Sequence, residues 1–486
     1  MDFLSQTNLA RVPREVKRPA YDRTQVDIGI VHFGPGAFHR VHQAWFVDKL
    51  LASDPRWGIC EVSLRSTDVR DALAPQDGLY TLAALDETTS YRIIGALKQT
   101  LVAPENPTGV LARLAAPTTR VVTMTVTEKG YCLGPDGHLD MSHADIRRDL
   151  SNPQSPASLI GYLVEALRRR RDSGTGPLTI ISCDNLVDNG IRLGRAVQQL
   201  AQVADAGLAR WIEEKVAFPR TMVDSITPAT TDDLRERVAE VLGMTDRWPV
   251  QREGFVQWVI EDRTAGETPD WQSAGVIVTD DVGAYDRAKL RLLNGAHSSL
   301  AYLGLLAGHE TVAGAMEDVD LAAFVGTMMR RDILPTLKAP RGLDLNEYVQ
   351  AILKRFRNPA IRHALAQIAW DGSQKLPIRI LGTVADTIRA QRPLQRLALP
   401  VAAWMTFIRA RAVMNIPIVD PLAGQLATCG RSATGESRHD LSLFLALPGV
   451  FSADLAGNAE LVRAIGNAYD LIARRGVLDA MAMVDQ

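Results

Sequence analysis

The sequence predicts an α/β N-terminal half with parallel strand pairing and a mostly α-helical C-terminal half. Three observations carry this. Apolar, β-branched runs recur through the first half with helix-like stretches between them, and strands that alternate with helices pair in parallel. From about Tyr285 strand-like runs become rare and long helical patterns take over. The 486 residues also leave room for two or three domains at roughly 150 residues each. The change of texture puts the boundary near residue 282, dividing the chain into 1–282 and 283–486.

The elements follow in order. Val26–Phe33 reads as a buried strand, and Ala37 to Leu51 as the helix after it. Gly58–Leu64, Arg120–Thr127 and Leu178–Cys183 read as further strands. Ser155-Pro156 offers an N-cap and a first-turn proline for a helix running to about Arg171. The arginines of 168–171 suit the solvated end of that helix, where cations meet the negative dipole. In the second half, Arg287–Leu306, Val349–Phe356, Ile361–Trp370 and Leu397–Arg411 carry helical patterns. No internal repeat or low-complexity segment interrupts them.

Composition narrows the function. The chain is 46% apolar and 23% charged, an ordinary globular balance. Its 54 basic and 56 acidic side chains give a formal charge of −2, which offers no electrostatic footprint for nucleic acid or an acidic membrane. Cys60, Cys132, Cys183 and Cys429 stand far apart without a CxxC pair, so neither a zinc ribbon nor a disulfide framework is expected. The apolar stretch Leu397–Ile408 is broken by Pro400 and is too short to span a bilayer. The polar N-terminus lacks the apolar core of a signal peptide. A reducing, cytoplasmic setting is expected.

Directly after the first strand comes Gly34-Pro35-Gly36-Ala37-Phe38-His39-Arg40. Two glycines let the backbone turn sharply and approach a ligand, and the next helix offers free N–H groups to a pyrophosphate. The third glycine of the usual dinucleotide fingerprint is missing, so a plain strand-to-helix turn explains these residues equally well. After the second strand, Asp68 is placed to bind ribose hydroxyls, though it lies 32 residues beyond Gly36 rather than about 20. Arg65 beside it would suit a 2′-phosphate instead. His39 and His42 have no carboxylate or cysteine at ligand spacing, so no metal site is expected and packing roles are preferred.

Lys289-Leu-Arg-Leu-Leu-Asn294-Gly-Ala-His297 reads as helix. At about 100° per residue, His297 falls about 80° and Asn294 about 140° from Lys289, so all three can line one side of a cleft. A lysine at a dry site can act as general base, an asparagine can donate to an alkoxide, and a histidine can orient either. A surface lysine with a core histidine is the plainer alternative. Cys183-Asp184-Asn185 ends a predicted parallel strand, where α/β sites form, and Asn185 is a second candidate amide. Asp371 to Arg379 places Lys375 and Arg379 in a predicted turn, where either could hold substrate hydroxyls or a carboxylate.

Taken together, these segments resemble the polyol-specific long-chain dehydrogenases, typified by mannitol 2-dehydrogenase and fructuronate reductase. The resemblance covers nearly the whole chain. It runs through Gly34–Ala44, Thr127–Tyr131, Cys183–Leu186, Met222–Asp224, Phe255–Asp262 and the K-x4-N-x2-H pattern of Lys289, Asn294 and His297. It implies a Rossmann-type dinucleotide-binding domain followed by a mostly helical substrate domain. The implied chemistry is zinc-independent, NAD(P)-linked oxidation of a secondary alcohol at C2, in a monomer or weak homodimer. By this resemblance Lys289 is the general acid/base, Asn185 and Asn294 stabilise the oxyanion, and His297 orients substrate. Gly34, Gly36, Phe38 and Asp68 would bind the cofactor, NAD in preference to NADP, and Lys375 would bind substrate. Ser225 and Gln367 depart from the arginines the family commonly carries there. The stretch Gln367–Arg379 looks more like the fructuronate reductase branch, and Leu64-Arg65-Ser66 more like the mannitol branch. The expected substrate pair is therefore D-mannonate/D-fructuronate, with D-mannitol/D-fructose next. A non-catalytic sugar or nucleotide sensor is a remote alternative.

Overall fold

The computed structural model describes residues 2–484, which divide into two compact units between Val282 and Gly283. The strands of the first unit are β1 (Ile28–Phe33), β2 (Gly58–Ser63), β3 (Tyr80–Leu85), β4 (Ser90–Ile94), β5 (Leu97–Val102) and β6 (Val121–Met124). They continue with β7 (Thr179–Ser182), β8 (Thr221–Asp224), β9 (Val250–Glu253), β10 (Gln257–Glu261) and β11 (Ile277–Thr279).

The four runs predicted as strands become β1, β2, β6 and β7. With β5 they form one sheet in the order β5-β2-β1-β6-β7, parallel throughout. These strands carry apolar side chains on both faces because both are covered. Val31, Phe33, Cys60, Val62, Val122 and Met124 pack with the helix Leu159–Ser173 on one side. Ile30, Ile59, Val121 and Ile181 pack with the helices after β1 on the other. The strand order reverses at β1, which makes the C-terminal end of that strand the crevice where α/β sheets bind ligands.

Two smaller sheets, β4-β3-β9 and β11-β10-β8, had no clear sequence signal. Their strands are only three to six residues long, so alternation has little length in which to show. They explain two motif segments: Met222–Asp224 and Phe255–Asp262 are neighbours because β8 and β10 pair antiparallel, Asp224 opposite Gln257. Ser225, just beyond, donates its hydroxyl to the Phe255 carbonyl at 2.9 Å.

Three helix expectations are corrected. The helix after β1 is broken at His42 into Ala37–Val41 and Gln43–Leu50. There the His42 imidazole reaches the Gln257 carbonyl at 2.8 Å, and the backbone turns to let it. The helix expected from Ser155 begins at Leu159, capped by Ser158. The buried Asp149 carboxylate accepts the N–H groups of Ala157 and Ser158 and holds Ser158 extended ahead of the helix. Of the expected helix Ile361–Trp370, only Leu365–Ile368 is helical. Before it the chain pairs like a strand with residues near 311, because the Val312 N–H donates to the His363 carbonyl and the Leu365 N–H to the Glu310 carbonyl.

Every named element of the second unit's described residues is a helix. Helix Val282–Ala288 runs through a π-helical segment, Lys289–Gly295, into Ala296–Leu306. Helix Gly372–Leu376 likewise continues through π-helical Pro377–Leu381 into Gly382–Arg389, so Lys375 and Arg379 lie on a helix rather than in the predicted turn. Pro377 has no N–H to give, and a widened turn absorbs that loss. The long helix Gln395–Val413 contains Pro400. No helix among the described residues is long and apolar enough to cross a membrane.

Candidate functional site

In the first unit, the predicted residues gather at the C-terminal edge of the parallel sheet. Gly34 follows β1 with φ +90°, and a Cβ there would fall 2.1 Å from the Thr125 carbonyl oxygen, so only glycine fits. Gly36 caps the next helix, and a Cβ built on it would meet nothing nearer than the Gly34 carbonyl at 4.0 Å. The space above the turn is therefore open, which fits a phosphate group resting against the backbone. Phe38 is partly buried and stacks on His42 with ring centroids 4.9 Å apart. Asp68 does not end β2, which stops at Ser63. It opens the helix Asp68–Leu73 with its carboxylate exposed, and Arg65 in the intervening loop is exposed too.

Asn185 is exposed just past β7. Its neighbour Asp184, which sequence reasoning did not single out for a role, clamps this edge. The Asp184 carboxylate accepts from Val126 N–H at 3.1 Å, Thr127 N–H at 2.8 Å and the Tyr131 hydroxyl at 2.6 Å. Burial raises its pKa and these donors pull it back. The clamp holds Thr127 at φ +66°, a strained value for a β-branched residue. His39 is buried against His32 and His42 against Phe38 and Trp258, and the described residues hold no cluster of three or more potential metal ligands.

In the second unit, Lys289 and His297 are buried and Asn294 is partly so. The π segment revises their geometry. An i→i+5 ladder needs more than four residues per turn, so Asn294, five residues after Lys289, comes about one turn along on nearly the same side. The value of about 140° from a regular helix does not apply. Gly295 lets this segment meet the π segment Pro377–Leu381, since a Cβ there would fall 2.7 Å from the Arg379 carbonyl oxygen.

That contact brings Arg379 to His297. The Arg379 guanidinium donates to Ser298 Oγ at 3.1 Å, and its buried Nε has no hydrogen-bond partner. Buried His297 Nε2 and His363 Nδ1 also lack one. The His297 ring stacks on Phe356 at 4.7 Å and meets His363 edge-on at 4.8 Å. Burial, then the charges of His363, Arg379, Arg355 and Lys375, hold the His297 pKa well below the usual imidazole range, so the ring is neutral. Lys375 donates to the Ile368 carbonyl at 3.3 Å. Burial lowers its pKa and Arg379 lowers it further, while Asp371 and Asp420 push back more weakly. The result is a largely buried cluster of basic side chains with an unused donor on Arg379 Nε, suited to an anionic group.

His363 and Arg355 are additions that sequence reasoning missed. His363 was hidden in a stretch read as helix, and its only signal is a basic pair, Arg362-His363, shortly after the helix-breaking Asn358-Pro359. Gln367 is exposed on its short helix.

Comparison with known proteins agrees with this architecture. Residues 28–273 match the mannitol dehydrogenase Rossmann domain and residues 281–473 the mannitol dehydrogenase C-terminal domain. The chain is 42% identical over 477 residues to D-mannonate oxidoreductase of Escherichia coli (strain K12), covering 96% of this chain and 98% of that one. Among solved structures, a D-sorbitol dehydrogenase in substrate-free form matches with TM-score 0.91 at 33% identity, over 99% of this chain and 100% of that one. The Pseudomonas fluorescens mannitol 2-dehydrogenase, a ternary complex with NAD and D-mannitol, matches with TM-score 0.83 at 36% identity, over 99% of each chain. A Rossmann unit followed by a helical unit, each matched by its own domain model, means that the chain belongs to the mannitol dehydrogenase family of oxidoreductases.

Proposed function

We propose that the protein is an NAD-dependent oxidoreductase that interconverts D-mannonate and D-fructuronate. The observation that carries this reading is the group of basic side chains around His297, with an unused donor on Arg379 Nε and unpaired ring nitrogens on His297 and His363. A hexonate has a carboxylate to meet them and a hexitol does not. The name of the E. coli relative supports the same choice.

Gly34, Gly36 and Phe38 would hold the dinucleotide, with Asp68 at the adenosine ribose, where a carboxylate repels a 2′-phosphate and favours NAD. The bound nicotinamide supplies the hydride acceptor. Lys289 takes the proton from the substrate hydroxyl and returns it in the reverse direction. The Asn294 amide donates to the same oxygen as negative charge grows there. Asn185 is the second amide in this reading, on the strength of the Cys183–Leu186 motif alone. Neutral His297 has Nε2 available for a neighbouring hydroxyl, and Lys375 and Arg379 bind the carboxylate.

The test is a hydride-transfer assay on hexonates and hexitols with NAD and NADP. Hexonates should lead by at least about tenfold in kcat/KM. Equal or better use of hexitols would favour the mannitol/fructose reading, for which the Leu64-Arg65-Ser66 segment speaks. Absence of transfer with every sugar would favour a sensor.

A further inference from the structure

A polar row crosses the buried middle of the parallel sheet, and the proposed chemistry uses none of it. The strand register sets Thr100, Glu61, His32 and Thr123 side by side on β5, β2, β1 and β6. Two residues earlier on β1, the corresponding row contains Ile30, Ile59 and Val121, the apolar filling such a position ordinarily takes. His32 and Glu61 are completely buried, and polar groups in such a place destabilise the fold unless they are bonded.

The bonds of His32 lead to the glycine turn. Its Nδ1 lies 2.7 Å from Thr123 Oγ1, and its Nε2 lies 3.2 Å from the Gly34 carbonyl oxygen and 3.0 Å from Thr125 Oγ1. A carbonyl only accepts, so Nε2 carries the proton and Nδ1 accepts from the Thr123 hydroxyl. Thr125 Oγ1 also donates to the Gly34 carbonyl at 2.9 Å, and the Gly36 N–H does so at 2.7 Å. Three donors thus fix the peptide plane that joins Gly34 to Pro35. His39 closes the row from above, its ring 3.4 Å from that of His32 and nearly parallel, with Nε2 3.4 Å from Glu61 Oε1. Burial pushes the pKa of His32 down to about 3, so the ring stays neutral at neutral pH, in the tautomer that the Gly34 carbonyl selects.

We infer that His32 is a positioning residue of the dinucleotide site, holding the glycine turn by its Gly34 carbonyl in the shape a pyrophosphate needs. The inference rests on the reading of that turn as the cofactor site. The experiment is titration of NADH and NADPH by fluorescence, without substrate, on the wild type and on His32→Leu, His32→Gln and Thr125→Val. The glutamine amide places an N–H near the position of Nε2, and leucine does not. We expect His32→Leu to weaken dinucleotide binding about tenfold and Thr125→Val about threefold, with His32→Gln recovering most of the loss. The loss should fall on Kd and on the KM for NAD rather than on kcat. Failure of the wild type to bind either dinucleotide would overturn the cofactor reading itself. If the wild type binds, equal losses in His32→Leu and His32→Gln, or unchanged binding in both His32→Leu and Thr125→Val, would overturn the positioning role. Thr125→Val keeps that test decisive if His32→Leu does not fold.

Discussion

The Arg379 carbonyl oxygen sits against Gly295, where a Cβ would approach to 2.7 Å. The neighbour is backbone and cannot swing aside, so Gly295→Ala must push the two π segments apart. It should lower stability by about 1–3 kcal/mol. It should also lower kcat at least about tenfold, since even a 1 Å displacement of catalytic groups is costly. Thermal melts and steady-state kinetics check this. A variant with full kcat and an unchanged Tm would show that the contact is slack.

Removal of the lysine tests the proton path. Lys289→Ala should lower kcat by about two to four orders of magnitude. NADH binding should stay close to normal, and a small external amine should restore part of the rate. Retention of more than about a tenth of kcat, or loss of NADH affinity in proportion to rate, would mean that Lys289 serves binding or folding.

The basic cluster makes a prediction about substrate choice. A charge-assisted pair contributes on the order of 1.5–3 kcal/mol, or roughly ten- to a hundredfold in kcat/KM. Arg379→Ala should lose most of that factor on hexonates and little on hexitols. Comparable losses on both would mark Arg379 as structural, its bond to Ser298 and its packing at Gly295 being what matters.

At the proposed cofactor end, Asp68→Ala should shift the kcat/KM ratio toward NADP, because on that reading it removes a carboxylate that would oppose a 2′-phosphate. Ratios of kcat/KM for the two cofactors provide the check. An unaltered ratio would shift attention to Arg65.

Glu61 predicts a pH dependence of stability. Burial pushes its pKa up from the ordinary 4.5 to about 7, against the pull of Arg40. The folded state then binds more protons than the unfolded state between those values, so stability falls as pH rises through that window. The stability tied to this group is fully present below about pH 4.5, and on the order of 3 kcal/mol of it is lost above pH 7. Urea unfolding at pH 5 and pH 8 should show this loss in the wild type, and Glu61→Gln should remove it. An equal pH effect in both proteins would assign the ionisation elsewhere.

Much of the first unit was legible because its signals are local. Val26–Phe33 and the three runs like it are apolar whatever surrounds them, and Gly34 and Gly36 mark a turn by their type alone. The same holds for the polar residues on the helix beginning at Val282, since Asn294 and His297 follow the apolar run Leu292-Leu293 and Lys289, Asn294 and His297 keep a spacing readable in the chain. Their mutual angle was not legible. A π segment arises where packing widens the turn, and the residue pattern of Lys289–Gly295 is the same for a regular helix. The stretch at residue 361 failed for a related reason: its backbone hydrogen bonds go to Glu310 and Val312, some fifty residues away.

By itself, then, the sequence determined four strands of the parallel sheet, the change of texture near residue 282, and the residue types available for chemistry. These depend on composition and on spacings of a few residues, which act before the chain is folded. Tertiary structure alone decided that Gly295 would meet Arg379, that His363 would stand edge-on to His297, and that His32 would reach from one strand to Thr123 on the next. The partners in these contacts are 84, 66 and 91 residues apart in the chain. No local preference encodes them. They form because burying the surrounding apolar side chains leaves one close-packed arrangement, within which each buried polar group takes whatever partner lies in reach.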